Sequence, residues 1–408
     1  MKYIVVIGDG MADNPIQELG GKTPLEAASI PFVDSLASKG EVCSVRTVPL
    51  GVAPGSDTAN LNIFGCDPTV YYSGRAPLEA ASQGVFPPAG AAMYRCNLIS
   101  VSTGEGPLDD KTLISHSCGS IDGDEADKII TWLYNDPEFN AAARAAGFKI
   151  YPANSYRHIA SQENADIKGI CLYPPHDHLG ERAGDLRCCG NENASVLWDL
   201  MRLGHRCLSR CEYNIQREKD GLLPANAIWF WAEGTAAALP KFKYTSKGTI
   251  VSAVPLFRGI ARLIGLKTVL VNGATGLLDT NYAGKVQAAL DALESGDDFV
   301  TIHIEAPDEC SHDGDLPGKL KSIENLDSLV IKPLLTALDG KGVQYRLAFI
   351  SDHKTLLSNR AHDGDPVPCL FFDSRFDSGA GGCFSETQGM KGRMIDPGTG
   401  VMRELFKK

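Results

Sequence analysis

An α/β fold with a mostly parallel sheet, interrupted by an inserted second α/β unit, is the architecture this sequence predicts. Short apolar runs at Tyr3–Ile7, Phe299–Ile304, Tyr345–Ile350 and Val367–Phe372 each stop at polar loops, as strands buried on both faces do. A helical pattern over Gly284–Glu294, with Val286, Ala289, Leu290 and Leu293 on one face, precedes the Phe299 run and so implies a βαβ unit. The central third has another texture, with helical patterns broken by Gly/Pro-rich stretches at Phe86–Gly90 and Tyr173–Pro175. The expected division is 1–65 with 241–408 as one discontinuous domain and 66–240 as the insert.

Taken in order, Tyr3–Ile7 runs into Gly8-Asp9-Gly10 and reads as a central strand. Thr23-Pro24 has the form of an N-cap followed by Pro at the first helical position. Ile30, Phe32, Val33 and Leu36 continue the apolar pattern, Pro31 breaks or kinks it, and Gly40 ends it. The small-residue loop at 54–60 leads into a short helix ending near Gly65, with Ser56 at the expected N-cap. The hexapeptide Pro-Leu-Glu-Ala-Ala-Ser stands at both 24–29 and 77–82 without wider similarity, and is read as one helix start used twice. Ala126–Leu133 and Val196–Leu203 are helical patterns within the insert.

Composition narrows the function classes. The 408 residues are 43% hydrophobic and 22% charged, which excludes a disordered chain, and their length excludes a disulfide-stapled miniature. A net charge of −11 opposes nucleic acid and anionic membranes as partners. The 12 cysteines are scattered with no Cys-x-x-Cys pair, which reads as reduced thiols. The first apolar run is too short for a signal h-region, and no stretch reaches the ~18 apolar residues of a membrane span, so a cytoplasmic protein is expected.

The chemistry clusters at expected strand ends. Asp9 follows the first strand, Asp308 and His312 follow Phe299–Ile304, Asp352-His353 follow Tyr345–Ile350, and His362 precedes Val367. Ligands of open α/β sheets gather at the carboxyl ends of the strands. Mixed carboxylate and imidazole donors suit Mn²⁺, Zn²⁺ or Co²⁺, and six such ligands suffice for two ions. Each residue alone has a plain structural alternative: Asp9 as a turn cap, and His-Asp-Gly-Asp at 312–315 and 362–365 as ordinary turns. Their joint placement favours a site. His303, inside an apolar strand, reads as structural, and His176 with His178 as loop or substrate-facing residues. Ser56 has two readings, as a helix cap or as a serine that carries a phosphoryl group at a helix N-terminus once a metal activates it.

Gly8–Asp13, Pro54–Leu61, Ala306–Glu309 with His312-Asp313-Gly314, Ser351-Asp352-His353 and His362 before Pro366 together resemble the archaeal-type cofactor-independent phosphoglycerate mutases of the alkaline phosphatase superfamily. Gly273–Gly276, Asp279–Tyr282 with Lys285, Tyr71–Glu79 and Asn226–Gly234 extend the resemblance over nearly the whole chain. It implies an alkaline-phosphatase-like three-layer core with a substrate-binding insert. By it, Asp9, Ser56, Asp352 and His353 would surround one divalent ion and Asp308, His312 and His362 a second, with Mn²⁺ first and Zn²⁺, Co²⁺ or Mg²⁺ as alternatives. Ser56 would accept the phosphoryl group, and Arg75, Arg95, Arg157, Arg258, Arg262 and Lys285 are candidate contacts to a small phosphorylated substrate; the alternative for each is a surface salt bridge. Asn60 stands where many mutases have His, and Lys354 where a small residue is common. The implied reaction interconverts 3-phosphoglycerate and 2-phosphoglycerate. The alternatives are a homoserine kinase, a metal-dependent phosphomonoesterase and a non-catalytic metal-binding protein. Gly20-Gly21-Lys22-Thr23 is no P-loop, because Ile16 occupies the place of its first glycine.

Overall fold

Ile4, Val5, Val6 and Ile7 are all fully buried, so both faces of the Lys2–Gly8 strand are covered by other layers. The computed structural model, which describes residues 1–236, 238–376 and 382–407, places this strand inside an eight-stranded sheet. The order across that sheet is Met394–Ile395, Glu41–Val45, Val367–Asp373, Tyr345–Ser351, Lys2–Gly8, Phe299–Ile304, Gly248–Val251 and Lys267–Val269. Lys2–Gly8 is parallel to both neighbours, with Ile7 opposite His303 on one side and Ile350 on the other. Val367–Asp373 runs antiparallel to both of its neighbours. The reason is local: the chain from Ser351 to Val367 forms the hairpin Lys354–Leu356/Ala361–Asp363 and no crossover helix that would carry it back to the other end of the sheet.

The helix Tyr282–Glu294 packs on Phe299–Ile304 and Gly248–Val251, completing the expected βαβ unit. Thr23 forms a capping box with Glu26, and Pro31 does divide the pattern, giving helices at Pro24–Ala27 and Pro31–Ala37. The second copy of the hexapeptide departs from expectation. There Pro77 is the third residue of the helix Arg75–Ser82, whose N-cap is Gly74.

Two compact units divide the chain, residues 1–72 with 239–408 and residues 73–238. The second unit holds a five-stranded antiparallel sheet, in which Ala92–Val101 pairs with Leu113–Ser115, Arg157–Gln162 and Ala227–Thr235, and Phe148–Tyr151 pairs with Arg157–Gln162. Its core is rich in aromatic side chains, among them Tyr94, Phe139, Phe148, Trp198, Trp229 and Phe230. Among the described residues no helix is long and apolar enough to cross a membrane.

One buried ion pair ties together the segments that carry the chemistry. Lys319 Nζ, wholly buried, donates to Asp13 Oδ2 at 2.8 Å and to the Thr355 carbonyl at 2.7 Å. Asp13 Oδ2 also accepts from Leu357 N, and Asp13 N donates to Glu386 Oε1. The loop after the first strand is thereby fixed to the hairpin. Lys319→Met would leave the Asp13 carboxylate buried without its cation, so we expect a loss of about 3–5 kcal/mol in chemical denaturation, recovered in large part by adding Asp13→Asn. A single variant of wild-type stability would show that the pair contributes nothing.

Candidate functional site

Four chain segments converge at the carboxyl ends of the parallel strands. Asp9 leaves Lys2–Gly8; Ser56 opens the helix Ser56–Ile63; Asp308 and His312 share the helix Ala306–Asp313; Asp352-His353 and His362 flank and enter the hairpin. Helical spacing explains the third of these, since residues four apart lie on one face and His312 Nε2 sits 3.3 Å from Asp308 Oδ2. Gly10 permits the close approach. It has φ +58°, and a Cβ there would lie 2.4 Å from Thr355 Oγ1 and 2.5 Å from Asp308 Oδ1.

Asp9, Asp352 and His353 form the first group of converging donors. Asp9 Oδ1 lies 3.4 Å from both Ser56 Oγ and His353 Nε2, and Ser56 Oγ lies 3.1 Å from His353 Nε2. Asp352 Oδ1 accepts from Gly10 N and His353 N, and its Oδ2 accepts from Asn60 Nδ2 at 2.9 Å. His353 Nδ1 is 3.2 Å from the Lys354 carbonyl, an acceptor that keeps the proton on Nδ1 and directs the Nε2 lone pair at Ser56. Burial, then the charges of Asp352 and Asp308, raises the Asp9 pKa well above the usual carboxylate range.

The second group of converging donors is Asp308, His353 and His362, with His312 beside it at 3.3 Å from Asp308 Oδ2. His312 Nε2 and His362 Nε2 are 2.9 Å apart, and His362 Nε2 is 3.4 Å from Asp308 Oδ1. His312 Nδ1 is anchored on the Arg360 carbonyl at 2.9 Å. Burial works to raise the Asp308 pKa, but hydrogen bonds from His312 and His362 overcome it and hold the carboxyl well below its ordinary range. The Asp308 hydrogen bond in turn lifts His312 to about 9.

Several expectations change in three dimensions. Gly55, not Ser56, is the N-cap; Ser56 is the first helical residue and its hydroxyl makes no cap hydrogen bond. His303 is buried as a core residue is, yet its Nε2 lies 2.9 Å from Asp9 Oδ2. Thr355, which the sequence reading passed over, donates its hydroxyl to Asp308 Oδ1. The available signals were a histidine in an apolar strand, which must find a partner when buried, and a threonine beside Asp352-His353. Asn60 is fully buried, holds Asp352 and the Ser56 carbonyl through Nδ2, and leaves Oδ1 without a partner. Lys354 Nζ turns to Asn14 Oδ1 at 2.9 Å and Asp365 at 3.3 Å.

The candidate anion binders separate by their partners. Arg95 is a buried ion pair with Glu79 and stacks on Trp231 at 4.4 Å, and Lys285 is 1% exposed with Nζ on the His303 carbonyl at 3.3 Å. Both therefore act inside the fold and not as open contacts. Arg262 is exposed with Nε 3.4 Å from Thr268 Oγ1, and Arg75 is exposed at the start of its helix. Arg157 and Arg258 are half-buried, and each has a buried Nε with no protein partner. His176 packs its ring 5.1 Å from Trp231, while His178 pairs with Glu181.

Three buried carboxylates whose ion-pair partners, among the described residues, are all histidines form a donor set suited to divalent cations. A further cluster, Asp136, Glu138 and Cys207, is already neutralised by Arg210, 2.8 Å from Asp136 and 3.4 Å from Glu138.

A family model described as 2,3-bisphosphoglycerate-independent phosphoglycerate mutase matches residues 37–214. The chain is 42% identical, over 91% of its length and 90% of the relative's, to the protein of that name from Methanosarcina acetivorans. It is 39% identical, over the full length of both, to a probable 2,3-bisphosphoglycerate-independent phosphoglycerate mutase from Geobacter sulfurreducens. Among solved structures, the cofactor-independent phosphoglycerate mutase of Thermoplasma acidophilum shares the fold, with TM-score 0.64 and 24% identity over 100% of this chain and 99% of that one.

The elevated His312 pKa gives a pH signature. In metal-free protein the pKa of about 9 exceeds the unfolded value, so the stability it contributes is complete below about 6.5 and is lost as the pH rises through about 9. A cation that takes the Nε2 lone pair must displace that proton. Calorimetric titration with Mn²⁺ near pH 7 is expected to release about one proton per ion bound there, and affinity should rise with pH up to about 9. Binding heats that do not depend on the buffer would contradict this.

Proposed function

The chain belongs to the family of 2,3-bisphosphoglycerate-independent phosphoglycerate mutases, isomerases that interconvert 3-phosphoglycerate and 2-phosphoglycerate, and we propose that Ser56 carries the phosphoryl group between the two positions. The observation that supports this reading is the Ser56 hydroxyl, which forgoes a helix cap and meets His353 Nε2 and Asp9 Oδ1. Divalent ions held by Asp9, Asp352 and His353 and by Asp308, His312 and His362 would supply Lewis acidity that lowers the Ser56 pKa and neutralises phosphoryl charge.

In the proposed sequence His353 keeps its Nδ1 proton on the Lys354 carbonyl, so that Nε2 stays turned toward the hydroxyl side of the site. Ser56 Oγ attacks phosphorus in line with the ester oxygen; the phosphoserine forms as the P–O bond to glycerate breaks, and the serine proton passes to the freed glycerate oxygen. The glycerate then reorients, and its other hydroxyl recovers the phosphoryl group from Ser56. Arg258, with an unfilled buried donor, is the proposed contact to the phosphate or carboxylate, since guanidinium fixes geometry as well as charge. The 66–240 segment is proposed to bind substrate and 1–65 with 241–408 to carry the metals. The two relatives named above bear the mutase name, one of them as probable, which favours the mutase over the kinase alternative.

Purified protein with Mn²⁺ and 3-phosphoglycerate is expected to form 2-phosphoglycerate without ATP or a bisphosphate primer. O-phosphohomoserine formed from homoserine and ATP, with 3-phosphoglycerate left unchanged, would overturn the reading. Ser56→Ala is expected to abolish turnover and to remove the phosphoserine seen by mass spectrometry. Because no cap is lost, its unfolding free energy should stay within about 0.5 kcal/mol of wild type. Near-normal turnover by this variant would eliminate the covalent route.

A further inference from the structure

Asp9 is unusual among the site carboxylates in having one oxygen occupied from within the sheet. Its Oδ2 lies 2.9 Å from His303 Nε2, while its Oδ1 faces Ser56 Oγ and His353 Nε2. His303 is itself constrained on three sides. Its Nδ1 is 3.2 Å from Ser252 Oγ, its ring stacks on Phe257 with centroids 4.4 Å apart and planes 16° apart, and its carbonyl accepts from Lys285 Nζ. Ser252 Oγ already accepts a hydrogen bond from Val254 N at 3.0 Å, which leaves its own proton free to go to Nδ1.

The proton order along this chain follows from what each atom can do. An ionised Asp9 can only accept, so Nε2 must donate; Nδ1 is then bare and must accept from the serine hydroxyl. We infer that His303 is a positioning residue, locked by Ser252 as the Nε2–H tautomer, that occupies Asp9 Oδ2 and so makes Asp9 present Oδ1 alone to a divalent cation. This rests on the proposal that Asp9 is a metal ligand. The stack on Phe257 sets the plane of the imidazole, and strand pairing of Ile7 with His303 sets its height beside Asp9. Outer hydrogen-bond partners of this kind typically change metal affinity by about 10–100-fold.

The test uses the intact protein and three readouts. ¹⁵N NMR of Mg²⁺-loaded wild-type protein is expected to show His303 protonated at Nε2 and bare at Nδ1; the opposite tautomer would overturn the inference without any variant. His303→Phe keeps an aromatic ring against Phe257 and removes the donor, so Mn²⁺ affinity by calorimetry should fall about 10–100-fold while metal-free thermal unfolding confirms the fold. His303→Gln restores an N–H and should recover most of that loss. A folded Phe variant with wild-type affinity, or equal losses for Phe and Gln, would overturn the inference. If the Phe variant does not fold, Ser252→Ala decides: freeing the tautomer should weaken Mn²⁺ binding, and unchanged affinity would count against the lock. Wild-type protein that binds no divalent ion would instead overturn the metal reading beneath it.

Discussion

Asp9, Asp308 and Asp352, at 1%, 5% and 0% exposure, are held together away from solvent, and the rest of the site answers that crowding. Like charges in a poorly screened interior repel, and each loses hydration besides. The protein settles the three differently. Asp352 is satisfied by two backbone N–H groups and Asn60, Asp308 by Thr355 and two imidazoles, Asp9 by His303 and contacts with His353 and Ser56. The outcome is a split, with Asp9 displaced upward in pKa and Asp308 downward. A divalent cation at each group would relieve the repulsion that raises the Asp9 pKa and would compete with the proton on His312.

The scaffold holds these groups in place by means that are not themselves chemical. Parallel strands deliver the side chains to one edge, while the buried Lys319–Asp13 pair joins the Asp9 loop to the hairpin bearing His362. Gly10 lets Asp308 and Thr355 approach the backbone where any side chain would intrude. Such rigid support matters for phosphoryl transfer, where positioning accounts for much of the rate.

Much of this was legible in the chain. The apolar runs became strands at or within a residue of their expected ends, Pro31 split its helix, and the seven candidate nucleophile and ligand residues lie in one place. The readings that the structure alters share a cause. Ser56 at an N-cap, Arg95 and Lys285 as candidate substrate contacts and His303 as structural were each judged on neighbours in sequence. Their actual partners, Glu79 for Arg95, the His303 carbonyl for Lys285 and Asp9 for His303, lie elsewhere in the chain.

The sequence by itself determined the fold class and the donor chemistry, because hydrophobic period and residue type act locally: Asp308 and His312 share a helix face wherever that helix is put. Only the tertiary structure decided which lone pairs face one another. Whether a hydroxyl caps a helix or meets an imidazole, and whether a cation is open or spent on an internal partner, depends on packing between segments about three hundred residues apart, as Asp9 and His303 are. No local pattern encodes that distance, since it is set by sheet register and buried hydrogen bonding after the strands have assembled.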